Sequence, residues 1–160
     1  MEKKLLDALK WITHILEKYN IQYQISGGLA AHLYGAQRSI NDIDIDMPEE
    51  AFDVIYDDIK EFIIFGPDHY KDNRWDLKLV TLNYHGQEID IGGATTTKIY
   101  NDTTKQWINV PVDLSKTRIF YIHGIKVPVH DPSDLIEYKK LLKGSHQKSD
   151  IEAISNHIKQ

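Results

Sequence analysis

Hydrophobic residues recur with a helical period at the start of the chain and with a strand period further on. Between residues 3 and 18 an apolar residue returns every three or four positions, which predicts an amphipathic helix. Residues 22–26 predict a short strand that ends at Gly27-Gly28, followed by a short helix over 29–34. Apolar and acidic residues alternate strictly over 42–47 (DIDIDM), which predicts a strand with one buried and one polar face.

The rest of the chain continues this mixture of helices and strands. Two pairs of strand-like segments, each pair separated by a His-Gly dipeptide, predict hairpins, whereas the segments 66–73 and 93–115 are polar and predict turn-like or irregular structure. The predicted elements are a helix from 48 to about 62, strands over 75–83, 87–91, 117–122 and 125–129, and C-terminal helices over about 133–142 and 148–158. No linker divides the chain, so we expect a single domain over residues 1–160 with its C-terminal helices between about 133 and 158.

Composition narrows the class of protein. The chain has 160 residues with 41% hydrophobic and 27% charged residues, which is typical of one globular domain. It has no cysteine, which excludes disulfides, thiolate metal sites and a cysteine nucleophile. Neither a signal peptide nor an apolar segment of membrane-spanning length is evident, so we expect a cytoplasmic protein without a membrane partner. The net charge of −5 does not favour a nucleic acid as partner, although it leaves a local basic groove open.

The alternating segment carries the clearest chemical signal. Asp42, Asp44 and Asp46 lie on one face of the predicted strand, where like charges repel unless a cation neutralises them. Mg²⁺ prefers carboxylates together with phosphate oxygens, and two such ions about 3.5–4 Å apart support phosphoryl and nucleotidyl transfer. Gly27 and Gly28 let the backbone approach a ligand closely. These features together predict a site for a metal-bound triphosphate.

Other residues are candidates for the same site. Ser26 could add a hydroxyl contact, and Arg38 could hold the loop or a phosphate. Glu88 and Asp90 share one face of the strand over 87–91, and we favour Asp90 as a third carboxylate because Ile89 and Ile91 bracket it. The alternative interpretation is a solvated edge strand, since acidic residues also discourage pairing at sheet edges.

The run from Gly27-Gly28 through thirteen residues to Asp42-Ile43-Asp44 resembles the signature of the DNA-polymerase-beta-like nucleotidyltransferase superfamily. The local form, with Arg38 four residues before Asp42, is similar to the small stand-alone bacterial members, including antibiotic nucleotidyltransferases. The resemblance implies an α/β (α+β) fold in which a mixed β-sheet is flanked by helices.

The resemblance also implies roles for individual residues. Asp42 and Asp44 are implied to be catalytic metal ligands, Gly27 and Gly28 the phosphate-binding turn, and Asp90 the third carboxylate, acting as metal ligand or base. The C-terminal segment around Lys139 and Asp150 is also similar to the small members, in which a helix lysine approaches the triphosphate. Two Mg²⁺ ions, or Mn²⁺ in their place, are the implied cofactors. Whether Asp46 or Glu88 takes part in the metal site stays open.

The sequence therefore indicates a Mg²⁺-dependent enzyme that transfers a nucleotidyl group from an NTP to a hydroxyl acceptor. The acceptor is a small molecule, an RNA or a protein, and neither its identity, the preferred NTP nor the oligomeric state can be determined from the sequence. The alternative is a non-catalytic nucleotide-binding module, or a toxin–antitoxin interaction module, on the same fold. Trp75 and Trp107 are candidates for stacking on a base or an acceptor, with ordinary packing as the alternative.

Overall fold

Five α-helices and nine β-strands make up the protein. The computed structural model describes residues 1–160. The helices are α1 (Lys3–Lys18), α2 (Gly27–Leu33), α3 (Ala51–Ile59), α4 (Pro132–Lys140) and α5 (Ser145–Ile158). The strands are β1 (Gln24–Ser26), β2 (Asp42–Met47), β3 (Ile63–Lys71), β4 (Trp75–Tyr84), β5 (Gln87–Gly93), β6 (Lys98–Asn101), β7 (Gln106–Asn109), β8 (Arg118–Ile122) and β9 (Ile125–Val129). None of the helices combines the length and the hydrophobicity that crossing a membrane requires.

All nine strands join one mixed sheet, which confirms the expected α/β architecture. Eight strands follow the order β7-β6-β4-β5-β2-β1-β9-β8, and β3 pairs with β4 beside this path. The pairs β1–β9 and β2–β5 are parallel, whereas the other pairs are antiparallel. The parallel pair β2–β5 lies in the middle of the sheet and carries the acidic residues singled out above.

The strand period of β2 and β5 separates a hydrophobic core from a polar cleft. Ile43, Ile45, Ile89 and Ile91 are fully or almost fully buried in a cluster that includes the apolar residues of α1 and α3. Residues that alternate with them point to the opposite face of the sheet. The core therefore fixes the register of both strands, because a slip of one residue would turn the acidic side chains into it.

Two predicted loops are in part strands. Residues 66–71 of the segment 66–73, expected to be turn-like, belong to β3, and part of the segment 93–115, expected to be irregular, forms the hairpin of β6 and β7. The predictions were wrong for these strand residues because β3 contains Gly66 and Pro67 and has irregular register on β4, and because β6 and β7 are only four residues long. Apart from Gly93, the last residue of β5, the remaining residues of both segments lie outside strands, as expected. Their main-chain hydrogen bonds to β4 and to each other define them, and side-chain periodicity does not reveal such bonds.

Candidate active site

A cluster of three carboxylates forms the floor of a cleft on the polar face of the sheet. The parallel register of β2 and β5 places Asp44 opposite Asp90 and Asp42 opposite Glu88. Asp42, Asp44 and Asp90 each offer a carboxylate oxygen, and these three oxygens lie within 4.8 Å of one another. The structure therefore brings together the three acidic residues that the sequence selected, two from one strand and one from its neighbour.

Two carboxylates of this cluster, Asp44 and Asp90, hold their protons more tightly than isolated ones because their pKa values are raised. Loss of solvation and the negative charges of Asp42, Asp90 and Asp46 raise the pKa of Asp44 well above its usual value. Loss of solvation also raises the pKa of Asp90 to about 6, although the Thr81 hydroxyl donates a hydrogen bond of 2.7 Å to its Oδ1. A divalent cation removes this repulsion, and clustered carboxylate oxygens are the ligands that Mg²⁺ and Mn²⁺ prefer. The donor set therefore fits a divalent metal.

The glycine turn, Gly27-Gly28, forms the start of α2 directly after β1 and lies against the acidic cluster. Gly27 has a φ of +61°, and a Cβ added to it would lie 2.0 Å from Asp44 Oδ2. A Cβ at Gly28 would lie 3.0 Å from Arg38 Nη2. Gly27 needs to be glycine because a side chain there would collide with Asp44 at a strained backbone conformation, whereas a side chain at Gly28 would press on the end of Arg38. The bare backbone of both residues lines the cleft beside the carboxylates. Ser26 precedes the turn and also lines the cleft.

Two cations face the cleft, and both are paired with one acid. Arg38 donates to both carboxylate oxygens of Asp150, with Nη2 2.8 Å from Oδ2 and Nε 3.0 Å from Oδ1. Lys139 Nζ lies 3.0 Å from Asp150 Oδ2 and 3.2 Å from Gln147 Oε1. The predicted phosphate contacts of Arg38 and Lys139 stay predictions. Asp150 lies in the C-terminal segment that resembles the small nucleotidyltransferases, but no role was predicted for it from the sequence.

Asp46 and Glu88 lie beside the three-carboxylate cluster and are not members of it. Asp46 accepts a hydrogen bond of 2.9 Å from Gln24 Nε2, and loss of solvation raises its pKa to about 6. Glu88 faces the cleft opposite Asp42. Both acids therefore add negative charge to the cleft from positions just outside the cluster.

The cleft has a volume of about 730 Å³, which is within the range of small-molecule binding sites. Its walls include an aromatic and apolar group formed by Tyr70, Trp75, Leu77, Leu79 and Tyr138. Trp107 lies elsewhere, against Tyr100 and below the ammonium group of Lys71. Of the two tryptophans that were candidates for stacking on a ligand, only Trp75 lines the cleft.

Solved structures of nucleotidyltransferases share this fold. The chain is 24% identical to a protein from Thermotoga maritima described as a nucleotidyltransferase (TM1012), with a TM-score of 0.70 over 96% of this chain and 92% of that one. The lincosamide antibiotic adenylyltransferase LnuA, solved with lincomycin, is 14% identical, with a TM-score of 0.63 over 98% of both chains. ANT(2'')-Ia, solved with adenylyl-2''-tobramycin, is 13% identical, with a TM-score of 0.62 over 95% of this chain and 88% of that one.

Sequence comparison gives the family. A search of curated protein sequences finds no match. The sequence profile of the aminoglycoside-2''-adenylyltransferase family, however, matches residues 8–148, which include the glycine turn, all three clustered carboxylates and Lys139. The match confirms the resemblance to the small antibiotic-type nucleotidyltransferases and the prediction of an enzyme. The chain belongs to the aminoglycoside-2''-adenylyltransferase family.

Proposed function

We propose that this nucleotidyltransferase uses a Mg²⁺-bound NTP and transfers its nucleotidyl group to a hydroxyl of a small cationic antibiotic of the amino-sugar type. The three-carboxylate cluster of Asp42, Asp44 and Asp90, which directly abuts the glycine turn, carries this proposal. A solvated edge strand, the alternative interpretation of these acids, does not agree with the position of β2 between β1 and β5.

The three acids are the proposed metal ligands. Two Mg²⁺ ions, or Mn²⁺ in their place, would bind their oxygens and supply Lewis-acid chemistry at the phosphate. The chain's own contribution is to hold three carboxylates on rigid neighbouring strands. The Thr81 hydroxyl fixes the orientation of Asp90 through its hydrogen bond to Oδ1.

The proposed site for the β- and γ-phosphates lies on the opposite side of Asp44 from Asp90. Gly27 and Gly28 leave their backbone accessible there, and Ser26 precedes them with its hydroxyl. Arg38 and Lys139 line the same part of the cleft and supply positive charge for the phosphate oxygens. These five residues are the proposed phosphate-binding group.

The proposed reaction is a single displacement at the α-phosphorus. The acceptor hydroxyl gives up its proton beside the acidic cluster, and its oxygen forms a bond to the α-phosphorus. The bond from the α-phosphorus to the bridging oxygen of the β-phosphate breaks, and pyrophosphate leaves with that oxygen. Asp90 is the proposed proton acceptor as well as a metal ligand, because it lies on β5, across Asp44 from the glycine turn.

Charge favours a cationic acceptor over a neutral or acidic one. Five carboxylates line the cleft, at Asp42, Asp44, Asp46, Glu88 and Asp90. Only two cations that are permanently charged at neutral pH, Arg38 and Lys139, face it, and Asp150 already pairs with both. Metal ions and the NTP largely offset one another in charge, so the occupied cleft stays negative and attracts a cation. ANT(2'')-Ia and LnuA, whose structures hold an aminoglycoside product and lincomycin, provide the two acceptor classes to compare.

The test is pyrophosphate release from each of the four NTPs with Mg²⁺, in the presence of aminoglycosides or lincosamides. We expect release with at least one aminoglycoside, and we expect mass spectrometry to find that acceptor heavier by one nucleotidyl group. The Asp42→Asn/Asp44→Asn variant is the control, and it should release none. Adducts on lincosamides alone would contradict the proposed acceptor class, whereas no adduct with any acceptor would contradict the proposed function.

A further inference from the structure

Asp150 is a carboxylate of α5 that lies behind the cleft and joins its two permanent cations. Its side chain is fully buried. It binds the guanidinium of Arg38 through three hydrogen bonds of 2.8–3.2 Å and the ammonium of Lys139 at 3.0 Å. These bonds connect α5 with α4 and with the loop that precedes β2. One acid thus determines where both cations stand.

Asp150 itself does not line the cleft, whereas both of its partners do. A substrate in the cleft can therefore contact Arg38 and Lys139, but it cannot contact Asp150. Because one negative charge is shared by two positive ones, the group keeps a net positive charge on the phosphate side of the cleft. Asp150 stays ionised: burial opposes its charge, but the hydrogen bonds from Arg38 and Lys139 hold its pKa below its usual value.

Both cations depend on Asp150 for their position in the cleft. Lys139 is only 2% exposed, and an unpaired ammonium group at such a position loses its hydration without compensation. The guanidinium of Arg38 lies against Gly28, where a Cβ would be 3.0 Å from its Nη2. If Arg38 lost its partner, its long side chain could swing over the glycine turn or out into solvent.

We propose that Asp150 is a positioning residue for the triphosphate: it orients Arg38 and Lys139 toward the β- and γ-phosphates without contacting the substrate. This inference rests on the proposed function, because it takes the cleft to be the NTP site. It extends that function by a residue whose role is confined to the phosphates. Metal binding by the acidic cluster and recognition of the acceptor should not depend on Asp150.

The test compares ligands that differ in their phosphates, using the full chain. Binding of a Mg²⁺ complex of an ATP analogue with a non-hydrolysable α,β bridge, and of AMP, is measured by calorimetry. Mn²⁺ binding without nucleotide is measured by electron paramagnetic resonance. For Asp150→Asn we expect about tenfold to a hundredfold weaker binding of the analogue. Binding of AMP and Mn²⁺ should change by less than about threefold, which a general disruption of the fold would not spare.

Two further variants keep the test decisive. Arg38→Lys keeps the positive charge but loses the two-point contact with Asp150, so it should also weaken the analogue and spare Mn²⁺, even if Asp150→Asn does not fold. Asp131→Ala is the matched control. Asp131 is a nearly buried carboxylate that caps α4 from outside the cleft by accepting a hydrogen bond from the Asp134 backbone N–H. Its loss should lower the Tm and leave binding of the analogue unchanged.

The outcomes separate this inference from the proposed function. Wild-type affinity for the analogue in both Asp150→Asn and Arg38→Lys would overturn the role of Asp150 alone. Equal weakening of the analogue, AMP and Mn²⁺ would overturn it too, because that pattern is purely structural. A wild-type protein that binds neither Mn²⁺ nor the analogue would overturn the proposed function and this inference with it.

Discussion

Gly27 shows how a single residue couples backbone conformation to the chemistry of the cleft. Its positive φ and its contact with Asp44 Oδ2 both exclude a side chain. We expect Gly27→Ala to destabilise the protein by about 1–3 kcal/mol and to abolish binding of Mg²⁺–NTP. Gly35→Ala is the control, because Gly35 has a φ of +114° but no atom near its missing Cβ. We expect Gly35→Ala to lower the free energy of unfolding, measured by urea denaturation. Its nucleotide binding, measured by calorimetry, should not change. Equal loss of binding in both variants would contradict a direct role for Gly27.

Asp44 illustrates the conflict between function and stability at the same scale. Its carboxylate is desolvated and surrounded by like charges, which raise its pKa, so its ionised form destabilises the metal-free protein. Asp44→Asn should therefore raise the Tm of the metal-free protein by about 2–4 °C. It should also eliminate the increase in Tm that Mg²⁺ gives the wild type.

Thermal unfolding with and without Mg²⁺ measures both effects of the Asp44 substitution. Asp46→Asn is the matched control, since Asp46 lies on the same strand but outside the cluster and can keep an oxygen acceptor for Gln24. It should retain the response to Mg²⁺. A full Mg²⁺ response in Asp44→Asn would show that the metal binds elsewhere.

At the level of elements, the sequence predicted those whose side chains have a clear period. The strand over 42–47 and the helix over 3–18 agree with the structure residue for residue, because burial of one face sets their pattern. The hairpins that turn at His85-Gly86 and His123-Gly124 were also predicted, because a His-Gly dipeptide separates two strand-like segments in each case. In the structure both residues of each dipeptide have a positive φ. β3, β6 and β7 were missed because neighbouring main chains, rather than a buried face, define them.

The residues of the candidate site also divide into those that a local sequence pattern predicts and those that only tertiary contacts reveal. Asp42 and Asp44 follow from one strand's alternation, and Asp90 was selected by its buried neighbours, but its place opposite Asp44 required the pairing of β2 with β5. The contacts of Asp150 with Arg38 and Lys139 could not be predicted, because Arg38 and Asp150 are 112 residues apart in the chain. No local pattern indicates which distant cation a buried acid will bind.

The junction of β9 and α4 should make the stability depend on pH. His130 is 5% exposed, its Nδ1 has no hydrogen-bond partner, and burial lowers its pKa from 6.5 to about 4. The unfolded chain therefore takes up this proton first as the pH falls. The stability that the neutral ring allows is complete above pH 6.5 and is lost progressively between about pH 6.5 and 4.

His130→Leu tests this linkage, because leucine has a similar volume and cannot be protonated. From pH 7.5 to pH 5, wild type should lose about 2 kcal/mol more of its free energy of unfolding than the variant does. Urea denaturation at both pH values measures the difference. Parallel losses in the two proteins would assign the acid sensitivity to other groups.

Across the whole molecule, the cleft lies between two walls. One wall is the sheet, which contributes the carboxylates and Trp75. The other is formed by α4, which contributes Tyr138 and Lys139, and by α5, which contributes Gln147. Asp102, in the turn between β6 and β7, contacts Lys143 of the α4–α5 linker and lies 3.3 Å from Arg74 Nη2. Arg74 also donates a hydrogen bond of 3.3 Å to the carbonyl oxygen of Leu141. These contacts join the β3–β4 and β6–β7 turns to the linker between α4 and α5.

Because the Asp102 contacts are exposed to solvent, we expect them to form a weak latch, meaning ion pairs that contribute little free energy and break often. Asp102→Asn should increase the rate of amide hydrogen exchange in the linker over 141–144 by about threefold. A rise in ionic strength should have the same effect on the wild type, because salt screens the exposed charges. Glu137→Gln is the control, since it removes an equal charge from an α4 ion pair, with Lys140, that does not cross the cleft. Its linker should exchange at the wild-type rate. If both variants exchange alike, the latch is not what holds the walls together. If only Asp102→Asn exchanges faster, the Asp102 contacts are what hold the linker against the sheet.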